Sequence, residues 1–218
     1  MTKQCAVILS GCGNKDGAEI HESVTTLLAI KRAGYDYQCF APDIMQYRVF
    51  NHYTAQVVDE KRSVLVESAR IARGKIRPLS EFQPSDFDAL IIPGGLGAAL
   101  NLSTFAVDGA DCKVNDDVTR AVRLMHQARK PIGALCIAPV ILGRILPGVC
   151  VTVGNDHGVE AKLKQMGAQT KEAACDAIIV DEINKVVTGP CYMYDADIAQ
   201  VADCAQRVVN QVLLMVQQ

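Results

Sequence analysis

Short apolar runs alternate with longer amphipathic stretches along the chain, the pattern of strands exchanging with helices. The Ala-Val-Ile-Leu run within Cys5–Ser10 predicts a buried strand, broken by Gly11-Cys-Gly-Asn-Lys-Asp-Gly. Apolar residues then return at helical spacing from about Ala18 to Ala33, where Gly34 closes the helix. Tyr35–Ala41 predicts a second strand stopped by Pro42, and Val64–Arg73 a helix stopped by Gly74. The β-prone segment between them, Tyr47–Asp59, is an insertion or an edge hairpin. Ala89–Ile92 predicts a strand running into Pro93-Gly94-Gly95, and about Asp116–Arg129 a helix with Asn115 placed to cap it. Pro131–Leu135 is a strand, followed with almost no loop by a helix over Ile137–Ile145. Val149–Val153, a helix near Val159–Met166, a hairpin-like pair at Ala177–Val180 and Lys185–Thr188, and a long helix from about Asp195 to Val216 finish the chain.

Strands alternating with helices predict an α/β fold, a doubly wound, mostly parallel sheet flanked by helices. No repeat, low-complexity tract or linker interrupts it, so residues 1–218 are expected to form a single domain. Ligands of such sheets sit at the carboxyl ends of the strands, which directs attention to Gly11–Gly17, Pro93–Gly97 and Cys136.

Composition narrows the function. Half of the 218 residues are hydrophobic and 21% are charged, enough for a sizeable core. Twenty-two Lys and Arg against 24 Asp and Glu leave no basic excess, so nucleic acid is not an expected partner. No apolar run approaches the roughly 18 residues of a membrane span. The first residues, Met-Thr-Lys-Gln, lead directly into a strand-sized run, too short for a signal peptide, so a soluble, cytoplasmic protein is expected. Nine cysteines are scattered with neither CxxC pairs nor zinc spacing, so no disulfide framework and no metal is expected.

Cys136 is different from the other eight. It falls between a strand and a helix, flanked by the small residues Ala134 and Ala138, the setting of a nucleophile elbow. Without that setting, a cysteine among Ala, Leu and Ile is simply a small core residue. At a helix N-terminus its pKa is expected to fall from about 8.5 toward the range of about 3.5–7.5. Donors for a developing oxyanion are expected from the Gly94-Gly95 turn and from the Ile137 N–H.

Three segments, Gly17-Ala18-Glu19-Ile20-His21-Glu22, Ile92-Pro93-Gly94-Gly95 and Ala134-Leu135-Cys136-Ile137-Ala138-Pro139, occur in the order and spacing of the ThiJ/PfpI superfamily. The chain resembles this class I glutamine amidotransferase-like, flavodoxin-like group along essentially its whole length. Ser10-Gly-Cys-Gly-Asn-Lys-Asp-Gly and Leu65-Val-Glu-Ser-Ala-Arg-Ile-Ala-Arg-Gly-Lys resemble its ElbB branch, the isoprenoid-biosynthesis-associated, glyoxalase-like proteins. The resemblance implies that Glu22 places its carboxyl beside the Cys136 sulfur. A protonated carboxyl favours thiolate, so Glu22 is expected to be buried with a raised pKa. Glu19 has a local explanation, a capping box with Asp16 as the N-cap.

The histidine of many relatives aligns with Gly154, and His157, three residues on, is the candidate acid/base in its place. His21 is expected to point elsewhere, and His52 and His126 lie on the surface; the His-x-Glu pair of complete glutamine amidotransferases is not visible. The resemblance thus implies a glyoxalase-type enzyme with catalytic Cys136, Glu22 and His157. It would bind substrate through Gly94, Gly95 and Ile137, and convert a small aldehyde (glyoxal to glycolate) without glutathione, metal or cofactor, with a link to glycation repair. The alternatives are a redox-sensing or regulatory protein associated with isoprenoid biosynthesis and, more remotely, an amidotransferase partner. A homodimer is expected from the same resemblance.

Overall fold

A computed structural model describes residues 3–217. The chain runs through β1 (Gln4–Ile8), α1 (Ile20–Arg32), β2 (Asp36–Ala41), β3 (Val49–Asn51), β4 (Gln56–Val58), α2 (Val64–Ile71), β5 (Ile76–Pro78) and β6 (Ala89–Ile92). It continues through α3 (Leu96–Leu100), α4 (Phe105–Asp108), α5 (Asp116–Gln127), β7 (Ile132–Leu135), α6 (Pro139–Ile145) and β8 (Cys150–Val151). The last elements are α7 (His157–Gln165), β9 (Gln169–Thr170), β10 (Ile179–Asp181), β11 (Val186–Gly189) and α8 (Ile198–Val216).

Seven strands form one sheet in the order β10-β11-β7-β6-β1-β2-β5, parallel throughout except for β10 at the edge. Every residue of β6, β7 and β11 is buried, as a sheet covered on both faces requires. The helices flanking it give the predicted α/β fold. Strand order reverses direction between β1 and β6, so a crevice opens beyond the ends of those strands and of β7. An edge-to-face and stacked trio, Phe40, Phe82 and Phe87, fills the core beneath β2.

Several boundaries depart from the sequence pattern for identifiable reasons. The Tyr47–Asp59 segment is a separate two-stranded hairpin, β3–β4, outside the main sheet. In Val149–Val153 only Cys150 and Val151 pair, with β9, and side chains take amides of this segment: Cys150 N donates to Asp181 Oδ2 at 2.8 Å and Thr152 N to Thr188 Oγ1 at 2.9 Å. The first helix starts at Ile20 with Glu19 as its N-cap; Asp16 instead accepts from Phe50 N at 2.7 Å and anchors the hairpin. The helix after Cys136 starts at Pro139 rather than Ile137, since Pro139 fits the first helical position and the two preceding residues are used by the turn. No helix among the described residues is long and apolar enough to cross a membrane. All nine cysteines are free.

Candidate active site

The last residue of β7 passes into Cys136, whose backbone turns left-handed at φ 57°. A non-glycine residue there stores on the order of 1–2 kcal/mol of strain, which the surrounding hydrogen bonds must offset. Cys136 N–H donates to Gly189 O at the end of β11, at 2.8 Å, and Ala138 N–H to Leu135 O at 2.9 Å. The bend is thereby fixed and the side chain turns toward the crevice, where Cys136 is 7% exposed.

Three groups meet the sulfur. The N–H groups of Gly95 and Ile137 donate to it, and the Glu22 carboxyl lies against it. Glu22 comes from the first turn of α1 and is fully buried. Its Oε2 accepts from Gly94 N at 2.9 Å and its Oε1 from Tyr192 N at 3.3 Å. Burial, joined by the charge of Glu19, pushes its pKa from 4.5 up to about 8 against those donors. The expectation of a buried acid with a raised pKa therefore holds.

The expectation of a lowered thiol pKa does not. Burial, and then the charge of Glu22, push the Cys136 thiol up, and the N–H groups of Gly95 and Ile137 only oppose that rise. The sulfur lies three residues ahead of a short helix and is almost out of water, so desolvation outweighs the helix dipole. Thiol and carboxyl thus compete for one negative charge. When the pair loses its first proton, the charge rests on Glu22 with the thiol donating to it.

The glycine turn also has a different division of labour. Gly94 N–H is committed to Glu22, which removes it from the expected oxyanion donors, while the Gly95 and Ile137 N–H groups point at sulfur. Gly94 cannot be anything larger. A Cβ there would lie 2.5 Å from Cys136 Cβ and 2.7 Å from Glu22 Oε2. Gly94→Ala is expected to destabilise the protein by about 1–3 kcal/mol and to prise the thiol from its acid. A lowered Tm accompanied by lost alkylation selectivity at Cys136 would show both effects.

His157 does not join the site. As the first residue of α7 its side chain is 76% exposed, with Nδ1 3.6 Å from Glu160 Oε2 and 3.7 Å from Glu172 Oε1. Asp156 caps this helix through Val159 N, at 2.9 Å, and the following position faces outward. Those three side chains could hold a cation at the surface, but His157, Glu160 and Glu172 do not line the cavity at Cys136. Gly154, where the resemblance led a histidine to be expected, has φ 72°, and a Cβ there would lie 2.7 Å from Tyr194 Cε2. The Tyr194 ring fills the space, held by its hydroxyl donating to Ala173 O at 2.8 Å.

Cys136 opens into a cavity of about 360 Å³, bordered also by Gly95, Ile137, Glu19, Asp156 and Tyr192. That volume lies at the lower end of the range of about 300–1,000 Å³ typical of small-molecule clefts. Two of these residues escape the sequence pattern. Tyr192, in an unpatterned turn after β11, holds Glu22 through its N–H, and its hydroxyl lies 2.8 Å from Nδ1 of His21. Glu19 sits in the same motif as Glu22, where its capping role disguises its place at the cavity.

Compared with protein families, residues 12–194 match the DJ-1/PfpI family. Among curated proteins, the human glutamine amidotransferase-like class 1 domain-containing protein 3, mitochondrial, is 46% identical over 218 residues, covering 95% of this chain and 81% of its own length. The ES1 protein, mitochondrial, of Danio rerio is 39% identical over 210 residues, covering 88% and 77%. Among solved structures, an isoprenoid biosynthesis protein with amidotransferase-like domain from Ehrlichia chaffeensis superposes with a TM-score of 0.92 at 33% identity, covering 98% of this chain and 99% of that one. The two curated relatives carry mitochondrial names, so the comparisons do not support the cytoplasmic expectation.

Proposed function

The chain belongs to the DJ-1/PfpI family, and from that premise we propose that it is a cysteine-dependent, glyoxalase-type enzyme acting on small reactive aldehydes. Within the family we place it in the ElbB branch, supported by its likeness to the Ehrlichia chaffeensis protein, whose name links it to isoprenoid biosynthesis. The observation that carries the function is the pairing of Cys136, on its strained bend at the wall of a cavity, with the fully buried Glu22 carboxyl against its sulfur.

Above the pKa of about 8, the Glu22 carboxylate takes the thiol proton as sulfur attacks the aldehyde carbon. The charge passes to sulfur, where the Gly95 and Ile137 N–H groups meet it. As the S–C bond forms, the carbonyl oxygen recovers the proton and a hemithioacetal results. Movement of one carbon-bound hydrogen to the neighbouring carbon gives a hydroxyacyl thioester, and water releases glycolate and the thiol. The aldehyde carbon is oxidised as its neighbour is reduced, so no external redox partner, glutathione or metal is called for. Early glycation adducts present the same carbon chemistry and form part of this proposal, as does a homodimer.

A redox-sensing or regulatory protein is the second reading. Sensor cysteines are exposed to oxidant, whereas this thiol is almost out of water with a carboxyl placed to take its proton, which favours the enzyme. The test is glycolate formation from glyoxal by the purified protein without glutathione, followed by NMR. We expect conversion well above buffer, rising with pH through about 8. No glycolate above buffer, with selective peroxide oxidation of Cys136, would leave the regulatory reading in its place.

A further inference from the structure

We infer that Glu19 is the catalytic residue that carries the carbon-bound hydrogen from one carbon of the substrate to the other. The inference rests on the glyoxalase-type reading and names a group that reading leaves open. Glu22 is out of place for that step, because it lies against the sulfur and does not border the cavity in which the substrate carbons sit. His157 points into solvent. Yet the hydrogen on the carbon bonded to sulfur has to leave as a proton and return one atom further on, which requires a base at the cavity wall.

Besides Cys136, four side chains with an exchangeable proton, or a site for one, border that cavity: Lys15, Glu19, Asp156 and Tyr192. The Tyr192 hydroxyl is paired with Nδ1 of His21 at 2.8 Å and burial raises its pKa, so it is a phenol and not a base. Lys15 is exposed, and a lysine ammonium is not a base. Asp156 lies across the cavity at the start of α7, where its Oδ1 accepts from Val159 N at 2.9 Å and caps that helix, on a segment separate from those that hold the sulfur. Glu19 is built into that turn. It is 9% exposed, and its own N–H donates to Gly94 O at 2.9 Å, the residue whose N–H holds Glu22. Oε2 of Glu19 accepts from Glu22 N at 2.7 Å, which fixes the carboxylate rigidly at the cavity it shares with Cys136. Its negative charge is also felt by Glu22, whose pKa it helps to raise.

The step balances without a further reagent. Glu19 takes the proton from the carbon bonded to sulfur, and that bonding pair moves into the carbon–carbon bond while the neighbouring aldehyde becomes an enediolate. Glu19 then returns the proton to the neighbouring carbon. The hydroxyl proton on the sulfur-bearing carbon crosses to the other oxygen, leaving the hydroxyacetyl thioester on Cys136 for water to cleave.

Glu19 also caps α1, so the test must separate capping from chemistry. Asn is among the best N-caps and is no base. Glu19→Asn should therefore keep the Tm and still form the adduct of one glyoxal on Cys136, seen by intact mass, while glycolate release falls by about 10²–10⁴-fold. Glu19→Asp, one methylene short, should recover part of the rate. Glycolate release by Glu19→Asn within about threefold of wild type would reduce Glu19 to a helix cap and overturn the inference alone. No glycolate from the wild type would overturn the glyoxalase reading itself, and this inference with it.

Discussion

Cys136→Ser is expected to lose about 10³-fold or more of the glyoxal-to-glycolate rate while the Tm stays within about 2 °C of wild type. Both halves follow from the bend. Serine differs from cysteine by one atom, so the left-handed backbone, the bond from the residue 136 N–H to Gly189 O and the packing around the turn are all retained. What is lost is an acid that Glu22 can deprotonate. A carboxylate whose proton affinity corresponds to a pKa of about 8 is matched far better to a thiol than to an aliphatic hydroxyl. The oxygen is also the poorer nucleophile toward the aldehyde. A serine variant with more than about a tenth of the wild-type rate would show that sulfur is not the attacking atom.

Glu22→Gln should act on rate and stability together. Removing the base is expected to lower turnover by about 10²–10⁴-fold and to flatten the pH profile. In the wild type the rate should fall about tenfold for each unit below a pKa of about 8, because only the ionised carboxyl can take the thiol proton. The stability effect runs the opposite way. A carboxyl raised on folding from 4.5 to about 8 binds its proton more tightly in the native state. Its contribution is therefore full below about pH 4.5, is lost as pH climbs through the interval, and is gone above 8. The rise corresponds to about 5 kcal/mol as an order of magnitude. Glutamine does not titrate, although its amide must set an N–H against the Gly94 or Tyr192 N–H, which is a pH-independent cost. Relative to wild type, the variant should gain several kcal/mol between about pH 5 and pH 9 in denaturant unfolding. Parallel stability curves for the two proteins would contradict the burial of a proton at Glu22.

The central strands β1, β6 and β7 are readable because they are buried on both faces and so appear as apolar runs: Ala89–Ile92 is recovered residue for residue, and β7 within one. Elements of two to five residues, such as β5, β9, α3 and α4, are too short to show a period, and their existence depends on what they pack against. At the site, Cys136 and Glu22 were legible from motif and context. The state of the thiol was not, since its pKa depends on how completely other segments exclude water and on a charge from a different helix. His157 illustrates the same limit. Its proximity in sequence to the expected position suggested a role, but one turn of chain rotates it away from the cavity. Tyr192 contributes through its backbone, which no side-chain pattern can announce.

The filled space beside Gly154 constrains what an engineer, or descent with modification, could do next. Placing an imidazole at that position would need both a left-handed backbone tolerated by a bulky residue and the removal of the Tyr194 ring. Either change alone is harmful: one collides, and the other opens a void and abandons the bond to Ala173. Two replacements must arrive together, so the route to a histidine-bearing arrangement crosses an epistatic valley. Refinement of this catalyst is more accessible through the residues it already places around the thiol.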